Sequence, residues 1–270
     1  MKLGQVFNSY ADYYDDHFTR SVIGKAQRSQ VWRILKLYIR RKLNILEINC
    51  GTGEDALRLA SLRHRVLATD ISDKMIKICK QKQGFTLPDL VFIRSAFQEL
   101  DQRVIEGSFD LIFSNFGGLN CLSPEDTKTM IPVFFNLLKP GGRLFLVYMS
   151  PNCQWEKFYY WLKRKPSLTL RRHMEGSAKV RIGGFYLDIW YYSPRSLEKL
   201  YAPYFLYEKI YPIGLFVPPT FLEHYFIKHK RILRLLEWVD KVLGFPGLAR
   251  FSDHFAVVFK KHVTANSFAD

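Results

Sequence analysis

Asn44-Ile45-Leu46-Glu47-Ile48-Asn49-Cys50-Gly51-Thr52-Gly53-Glu54-Asp55-Ala56 decides the fold of this chain. Asn44–Ile48 is short, apolar and partly β-branched, the pattern of a buried parallel strand. It breaks at Asn49-Cys50-Gly51-Thr52-Gly53, and a helical spacing of apolar residues follows in Ala56, Leu57, Leu59 and Ala60. A strand, a tight glycine turn and a helix form the first half of a doubly wound nucleotide-binding unit. Gly51 and Gly53 lack Cβ, so the backbone can take positive φ there and a ligand can lie against it. Gly51-x-Gly53-x-x-Ala56 also fits the dinucleotide pattern, where pyrophosphate sits on the helix N-terminus. That spacing alone is a weak signal.

Outward from the turn, strands are expected near residues 44–48, 65–69, 90–94, 109–114 and 142–149, and helices near 54–62, 73–82 and 126–139. Alternation of this kind specifies an α/β fold with a parallel sheet covered on both faces. Right-handed crossovers then bring the carboxyl ends of the strands to one rim, and with them Glu47, Asn49, Asp70, Ala96 and Ser114. Asp70 ends the second strand roughly 20 residues past the glycines, where a carboxylate can accept both ribose hydroxyls.

Five elements in order resemble class I S-adenosylmethionine (SAM)-dependent methyltransferases. The turn resembles their first motif, with Glu47 as the acidic strand residue and Asn49 in place of the first glycine. Asn is the non-glycine residue most at ease at positive φ. Asp70-Ile71-Ser72-Asp73-Lys74-Met75 resembles the second motif, which implies that Ile71 covers the adenine beside Met75. Ser95-Ala96-Phe97 stands where that family packs the adenine ring, and Phe109–Phe116 resembles the strand whose end faces the reacting methyl group. Leu138-Lys139-Pro140-Gly141-Gly142 resembles the corner before the fifth strand. Upstream, Phe7-Asn8-x-x-Ala11-x-x-Tyr14-Asp15 resembles a motif of small-molecule members, with Asn8 for the usual Asp; there the Tyr touches the cofactor's methionine end.

The resemblance spans about residues 44–150. It implies a doubly wound, seven-stranded, mostly parallel Rossmann-like sheet closed by an antiparallel pair near 204–211 and 254–260. It also implies S-adenosyl-L-methionine as cofactor and S-adenosyl-L-homocysteine as product. The implied cofactor contacts are Tyr14, Glu47, Asn49, Cys50, Gly51 and Gly53 around the turn, then Asp70, Ile71, Met75, Ala96 and Phe97. Ser114, Asn115 and Phe116 complete them at the fourth strand.

Composition sets the bounds. At 270 residues the chain holds a core of good size, and 48% hydrophobic against 24% charged residues excludes a disordered class. Four cysteines without a C-x-x-C pair indicate neither a disulfide framework nor a metal knuckle, and no metal site is expected. With no membrane-spanning run and no signal-peptide pattern at the start, a cytoplasmic protein is expected. Net charge is +15, and residues 151–250 carry 17 Lys and Arg against 8 Asp and Glu. Such charge suits an anionic partner or serves solubility.

The expected organisation is an N-terminal helical cap at 1–41, the SAM-binding core at 42–150 and a lid insertion at 151–192. Residues 193–270 complete the sheet, with a second insertion at 212–251. The lids, after strands 5 and 6, hold an aromatic helix (Trp155, Phe158, Tyr159, Trp161, Leu162), a hairpin over 179–190 and a helix with Ile232, Leu236, Val239 and Leu243 on one stripe, opposite Lys230, Arg234, Lys241 and Glu237. Lids of this kind carry substrate choice. Gly117 and Gly118 leave room for an acceptor, and Asn120, Tyr191 and Tyr192 are candidate pocket residues. His17 and His224 are candidate general bases, since histidine titrates near neutrality.

The expected activity is methyl transfer to a small or lipid-like acceptor at oxygen, by in-line displacement; the N-P-P-Y type of nitrogen motif is absent after the fourth strand. Peripheral contact with an anionic membrane stays open as a partner. An RNA methyltransferase, a silent membrane-surface protein and an NAD enzyme are the other readings, and nucleic acid is disfavoured because no RNA-binding module is visible.

Overall fold

Leu46 and Ile48 point to one face of the central strand and Ile45 to the other, and all three are fully buried. A strand apolar on both faces needs helices above and below it. The computed structural model supplies them, describing residues 3–84, 87–104, 106–173 and 176–262. In chain order the main elements are α1 (Leu3–Tyr14), α2 (Val22–Leu35), β1 (Asn44–Ile48), α3 (Glu54–Ser61), β2 (Arg65–Asp70), α4 (Asp73–Gln83) and β3 (Leu90–Arg94). Then follow α5 (Leu100–Arg103), β4 (Phe109–Ser114), α6 (Pro124–Leu137), β5 (Leu138–Met149) and α7 (Gln154–Leu162). A hairpin of β6 (Ala178–Ile182) and β7 (Phe185–Ile189) precedes α8 (Pro194–Tyr201), β8 (Phe205–Ile213), α9 (Glu223–Phe226), α10 (Lys230–Leu243) and β9 (His254–Lys261).

Seven strands form one sheet in the order β3-β2-β1-β4-β5-β9-β8. The first five are parallel, while β9 runs antiparallel to both β5 and β8. The order reverses at the β1–β4 boundary, where open α/β sheets bind their ligands. The seven-stranded, mostly parallel Rossmann-like architecture expected from the sequence is the one observed.

Two boundaries shift for local reasons. Helix α6 begins at Pro124, not 126, because the Ser123 hydroxyl accepts from Asp126 N at 3.0 Å and Pro suits the first turn. It ends at Leu137, before 139: Pro140 pushes its predecessor out of the α region, and Leu138 is already extended and paired with Phe109. The stripe expected on α10 does not all face inward. Leu233 and Asp240 are the helix's buried residues, whereas Ile232 and Leu243 are exposed.

The insertions are anchored by buried polar groups. Asp240 of α10 accepts from the backbone N–H of Leu215 (3.2 Å), Phe216 (3.0 Å) and Val217 (2.8 Å), and from Gln30 Nε2 at 2.8 Å. Glu223 of α9 accepts from Val22 N at 2.7 Å and Ile23 N at 3.0 Å, satisfying the orphan amides of α2. Ile23, Ala26, Val217, Leu222 and Leu233 close a small core beneath α7, α9 and α10, with Trp155 and Tyr159 packed on it.

Candidate active site

Asn49, Gly51 and Gly53 all take positive φ, at 50°, 55° and 80°. The turn therefore curls tightly after β1, and the Gly51 amide donates to Asp70 Oδ2 at 2.9 Å. Asp70 Oδ1 accepts from Ser72 N, also at 2.9 Å. A carboxylate has about four acceptor positions, so two remain for hydroxyl donors. Burial raises the Asp70 carboxyl to about 6, with the Ser72, Gly51 and Ile71 amides pulling it partway back. Gly53 is required by packing: a Cβ there would lie 2.9 Å from Cys79 Sγ and 3.0 Å from the Phe92 ring.

The N-terminal segment closes over this turn. Asn8 Oδ1 accepts from the Ser72 hydroxyl at 2.6 Å and from Lys74 N at 3.2 Å, so the amide oxygen does at α4 what a carboxylate could do. A π-helical turn, Asp15–Thr19, follows α1. Asp15 ties it to the glycine loop through Thr52 Oγ1 (2.6 Å) and to α4 through Lys82 Nζ (2.6 Å). Tyr14 is thereby laid along Gly51, its ring 3.5 Å from where a Cβ would stand.

Behind the turn, Asp55 accepts from Arg28, from Trp32 Nε1 at 2.7 Å and from Asn115 Nδ2 at 2.8 Å. Glu47 is 2% exposed, and its Oε2 has no hydrogen-bond partner among the described residues. Burial, reinforced by the Asp55 charge, pushes the Glu47 carboxyl well above the usual range. Asn49 binds the end of β4, with Nδ2 on Asn115 O at 3.0 Å and Oδ1 accepting from Ser114 Oγ at 2.6 Å.

These residues open onto a cavity of about 300 Å³ at the carboxyl ends of the strands. One end is walled by Gly51, Asp70, Ile71, Met75 and Phe97, and the other by Phe116, Cys121, Met149, Ile189, Phe221 and His254. Tyr10, Tyr14 and Phe18 roof it from the N-terminal segment. His254 Nδ1 lies 3.1 Å from Asp253 Oδ2, at ion-pair distance though not aligned as a hydrogen bond. The His254 ring stands edge-on to Phe116, with centroids 5.5 Å apart.

Asp253 is further held by Arg172 Nη2 at 2.9 Å and Gln27 Nε2 at 3.1 Å. Burial alone would raise its carboxyl; the neighbouring His254 and Arg172 outweigh that and hold it well below the usual range. Arg172 Nε continues to Glu156 Oε2 at 2.8 Å, and Arg171 Nε to Glu156 Oε1 at 2.6 Å. A chain of buried charges thus runs from α7 to the first residue of β9.

Residues 45–142 match the family described as Methyltransferase domain. That match runs from β1 into β5 and makes this stretch similar to a methyltransferase domain, in keeping with the class I SAM-dependent superfamily. Among curated relatives, the ubiquinone/menaquinone biosynthesis C-methyltransferase of Wigglesworthia glossinidia brevipalpis is 28% identical over 129 residues, covering 45% of this chain and 50% of the relative. The tRNA 5-carboxymethoxyuridine methyltransferase of Escherichia coli (strain K12) is 26% identical over 153 residues, covering 54% of this chain and 57% of the relative. The chain spans about half the length of these relatives. The crystal structure of a SAM-dependent methyltransferase from Methanosarcina mazei aligns over 86% of this chain and 98% of the other, with TM-score 0.59 and 20% identity. At that identity the likeness is one of fold.

Of the expected cofactor and pocket residues, Tyr14, Asn49, Gly51, Asp70, Ile71, Met75, Phe97, Asn115, Phe116 and Gly117 all reach the cavity wall. Glu47, Cys50, Gly53, Ala96 and Ser114 do not; they support the turn and the ends of β1, β3 and β4 from behind. Several acceptor-side expectations are corrected. His17 is exposed, sits 3.2 Å from the Tyr10 hydroxyl and stacks on Tyr13, outside the cavity. His224 is exposed too and lies against Tyr225. Asn120 is buried and structural, donating to Trp190 O at 2.6 Å and accepting from Met149 N at 2.9 Å.

Tyr192 is a core residue whose hydroxyl donates to Leu122 O at 2.7 Å, and Tyr191 lies under Arg172. Gly117 and Gly118 both line the cavity, but a side chain at either would be crowded: Cβ atoms there would meet Met149 Cε at 3.1 Å and Asn49 Cγ at 2.3 Å. Cys121 does line the cavity, but burial pushes its thiol up to about 12, which disfavours the thiolate. Sequence reasoning missed His254, Asp253 and Arg172. The Asp253-His254 dipeptide at the head of the last strand was the available signal.

Proposed function

We propose that this protein transfers a methyl group from S-adenosylmethionine to a small or lipid-like, largely apolar acceptor, at oxygen. The observation that carries this reading is a single cavity with Asp70 and the bare Gly51 backbone at one end and a carboxylate-backed histidine, His254, at the other. The cofactor-side residues fit the group. The two spare acceptor positions of Asp70 suit ribose hydroxyls, and Ile71, Met75 and Phe97 offer apolar faces for a flat ring. Tyr14, Asn49 and the Gly51 backbone would receive the methionine end, and Glu47 is assigned to support that turn from behind.

The cofactor supplies an already activated methyl group on a sulfonium. What is left to the chain is to hold the acceptor in line, exclude water and take a proton. His254 Nδ1 faces the Asp253 carboxylate at 3.1 Å, and Nε2 would take the acceptor's hydroxyl proton. Asp253 would orient the ring and stabilise the imidazolium, and Arg172 and Gln27 would keep Asp253 ionised and fixed. The acceptor-side wall of Phe116, Met149, Ile189 and Phe221 favours an apolar molecule. Arg172 is the one Lys or Arg on the cavity wall among the described residues, and it is already paired, which disfavours a polynucleotide. The relative named for ubiquinone/menaquinone biosynthesis supports the same acceptor class.

The reading is tested by calorimetry with SAM and with S-adenosylhomocysteine. Micromolar binding of either is expected, and no binding at millimolar ligand would overturn it. Transfer of labelled methyl to a panel of phenolic and quinol lipids, with product analysis for O- against C-methylation, then identifies the acceptor atom.

A further inference from the structure

The outer side of the lids is unlike the rest of the surface. On α10 the inward line is buried Leu233 and Asp240 with half-buried Leu236; turned away from it are Ile232, Leu235, Trp238 and Val242, exposed at 50%, 58%, 60% and 48%. At 100° per residue these four fall within one arc of about 120°, a continuous apolar stripe. Helix α7 shares the same small core through Trp155 and Tyr159, and exposes Phe158, Trp161 and Leu162. Soluble monomers rarely leave so much aromatic and aliphatic surface together.

Cations border the stripe. Lys230, Arg234 and Lys241 share the flank of α10, and Arg231 sits within the apolar arc; Lys163, Arg164 and Lys165 follow α7. Among the described residues none of these seven forms an ion pair. Aliphatic and aromatic groups flanked by free cations match the headgroup layer of an anionic bilayer, where Trp rings and basic side chains find their preferred depth. The α7 side of this surface adjoins the cavity: the Phe221 ring forms part of the cavity wall, packs 5.3 Å from Tyr159 of α7, and is 38% exposed.

We propose that the α7–α10 face docks on an anionic membrane and that the acceptor enters from the bilayer past Phe221. The charge complementarity commits the face to anionic lipid. The proposal rests on the apolar-acceptor reading, but its test reads binding without turnover, so either can fail alone.

The experiment is flotation of the full chain with phosphatidylcholine vesicles, with and without about one part in three of phosphatidylglycerol, at low and high salt. Roughly tenfold stronger binding to the anionic vesicles is expected, weakening with salt, with a blue shift of tryptophan emission. Leu235→Glu with Trp238→Glu should reduce that binding about tenfold, while S-adenosylhomocysteine affinity and melting temperature stay unchanged because both side chains point to solvent. A charge-reversal variant, Lys230→Glu with Arg234→Glu, should do the same without altering the apolar stripe. Equal binding to neutral and anionic vesicles, or none to either, overturns the proposal. So does a dimer in sedimentation that the Leu235/Trp238 variant dissolves, which would give the face to a second copy. Full vesicle binding by both variants overturns it as well.

Discussion

The two ends of the cavity are built on opposite principles. At the Asp70 end the central residues, Gly51 and Asp70, sit at the tips of adjacent parallel strands, and their bonding partners lie in the same loop or the next one. Gly51, Asp70 and Ser72 are joined by backbone amides, so the geometry follows from strand order alone. At the His254 end the parts come from distant segments: Gln27 of α2, Glu156 of α7, Arg172 after it and Asp253 before β9. The first end is a property of the fold, and the second is a property of this chain. A scaffold made of near neighbours can stay fixed while charge pairs far apart in sequence are exchanged around it.

The comparison can be broken most sharply at Arg172. Arg172→Met leaves the Glu156 and Asp253 carboxylates buried with a partner removed, at a cost of about 3–5 kcal/mol. Thermal melting should fall by roughly 10 °C, with cofactor affinity nearly unaffected. Asp70→Ala should do the reverse. Loss of two charge-assisted hydroxyl contacts weakens S-adenosylhomocysteine binding by about 100-fold in calorimetry, with a melting shift smaller than that of Arg172→Met. His254→Asn, assayed with the acceptor found in the lipid panel, should lower kcat on the order of 100-fold and leave cofactor affinity within about twofold. Equal losses in both would move His254 out of the proton-transfer role.

Smaller effects sharpen the cofactor end. Gly51→Ala at φ 55° has room in front of Tyr14 but puts a methyl where a ligand would lie, so binding should weaken about tenfold with roughly 1 kcal/mol of strain. Asp70 also sets a pH dependence. Its pKa of about 6 in the fold exceeds the ordinary value of about 3.9. The stability it contributes is therefore full below the lower value and is lost as pH rises through the higher one. Ligand hydroxyls favour the ionised form, so affinity should grow over that interval, falling by up to tenfold for each pH unit below about 6. A flat profile between pH 5 and 7 would remove Asp70 from the ribose contact.

This contrast also explains what could be read in advance. Strand periodicity and the glycine turn place Asn49, Asp70, Phe97 and Phe116 without any tertiary information, since each lies within a few residues of a strand end. Asn8 was visible as a departure; its role emerges only when Ser72 and Lys74 are seen on its oxygen. The general-base candidates failed for a different reason. His17 and His224 were chosen for chemistry and rough location, yet both helices turn those side chains to solvent. His254 gave no periodic signal, and Arg172, which holds the neighbouring Asp253, is 81 residues from it along the chain. The aromatic helix α7 divides likewise: Trp155 and Tyr159 face inward, while Phe158 and Trp161, one turn away, face out.

The line of ions from Arg171 through Glu156, Arg172 and Asp253 has a practical meaning for anyone recombining such proteins. Residues 151–192 cannot be transplanted as a cassette. Moved onto another core without Asp253 and Gln27, the graft would keep Glu156 on Arg172 but leave the other side of that buried guanidinium unmatched; both termini of the circuit must travel together, as a lock does with its key.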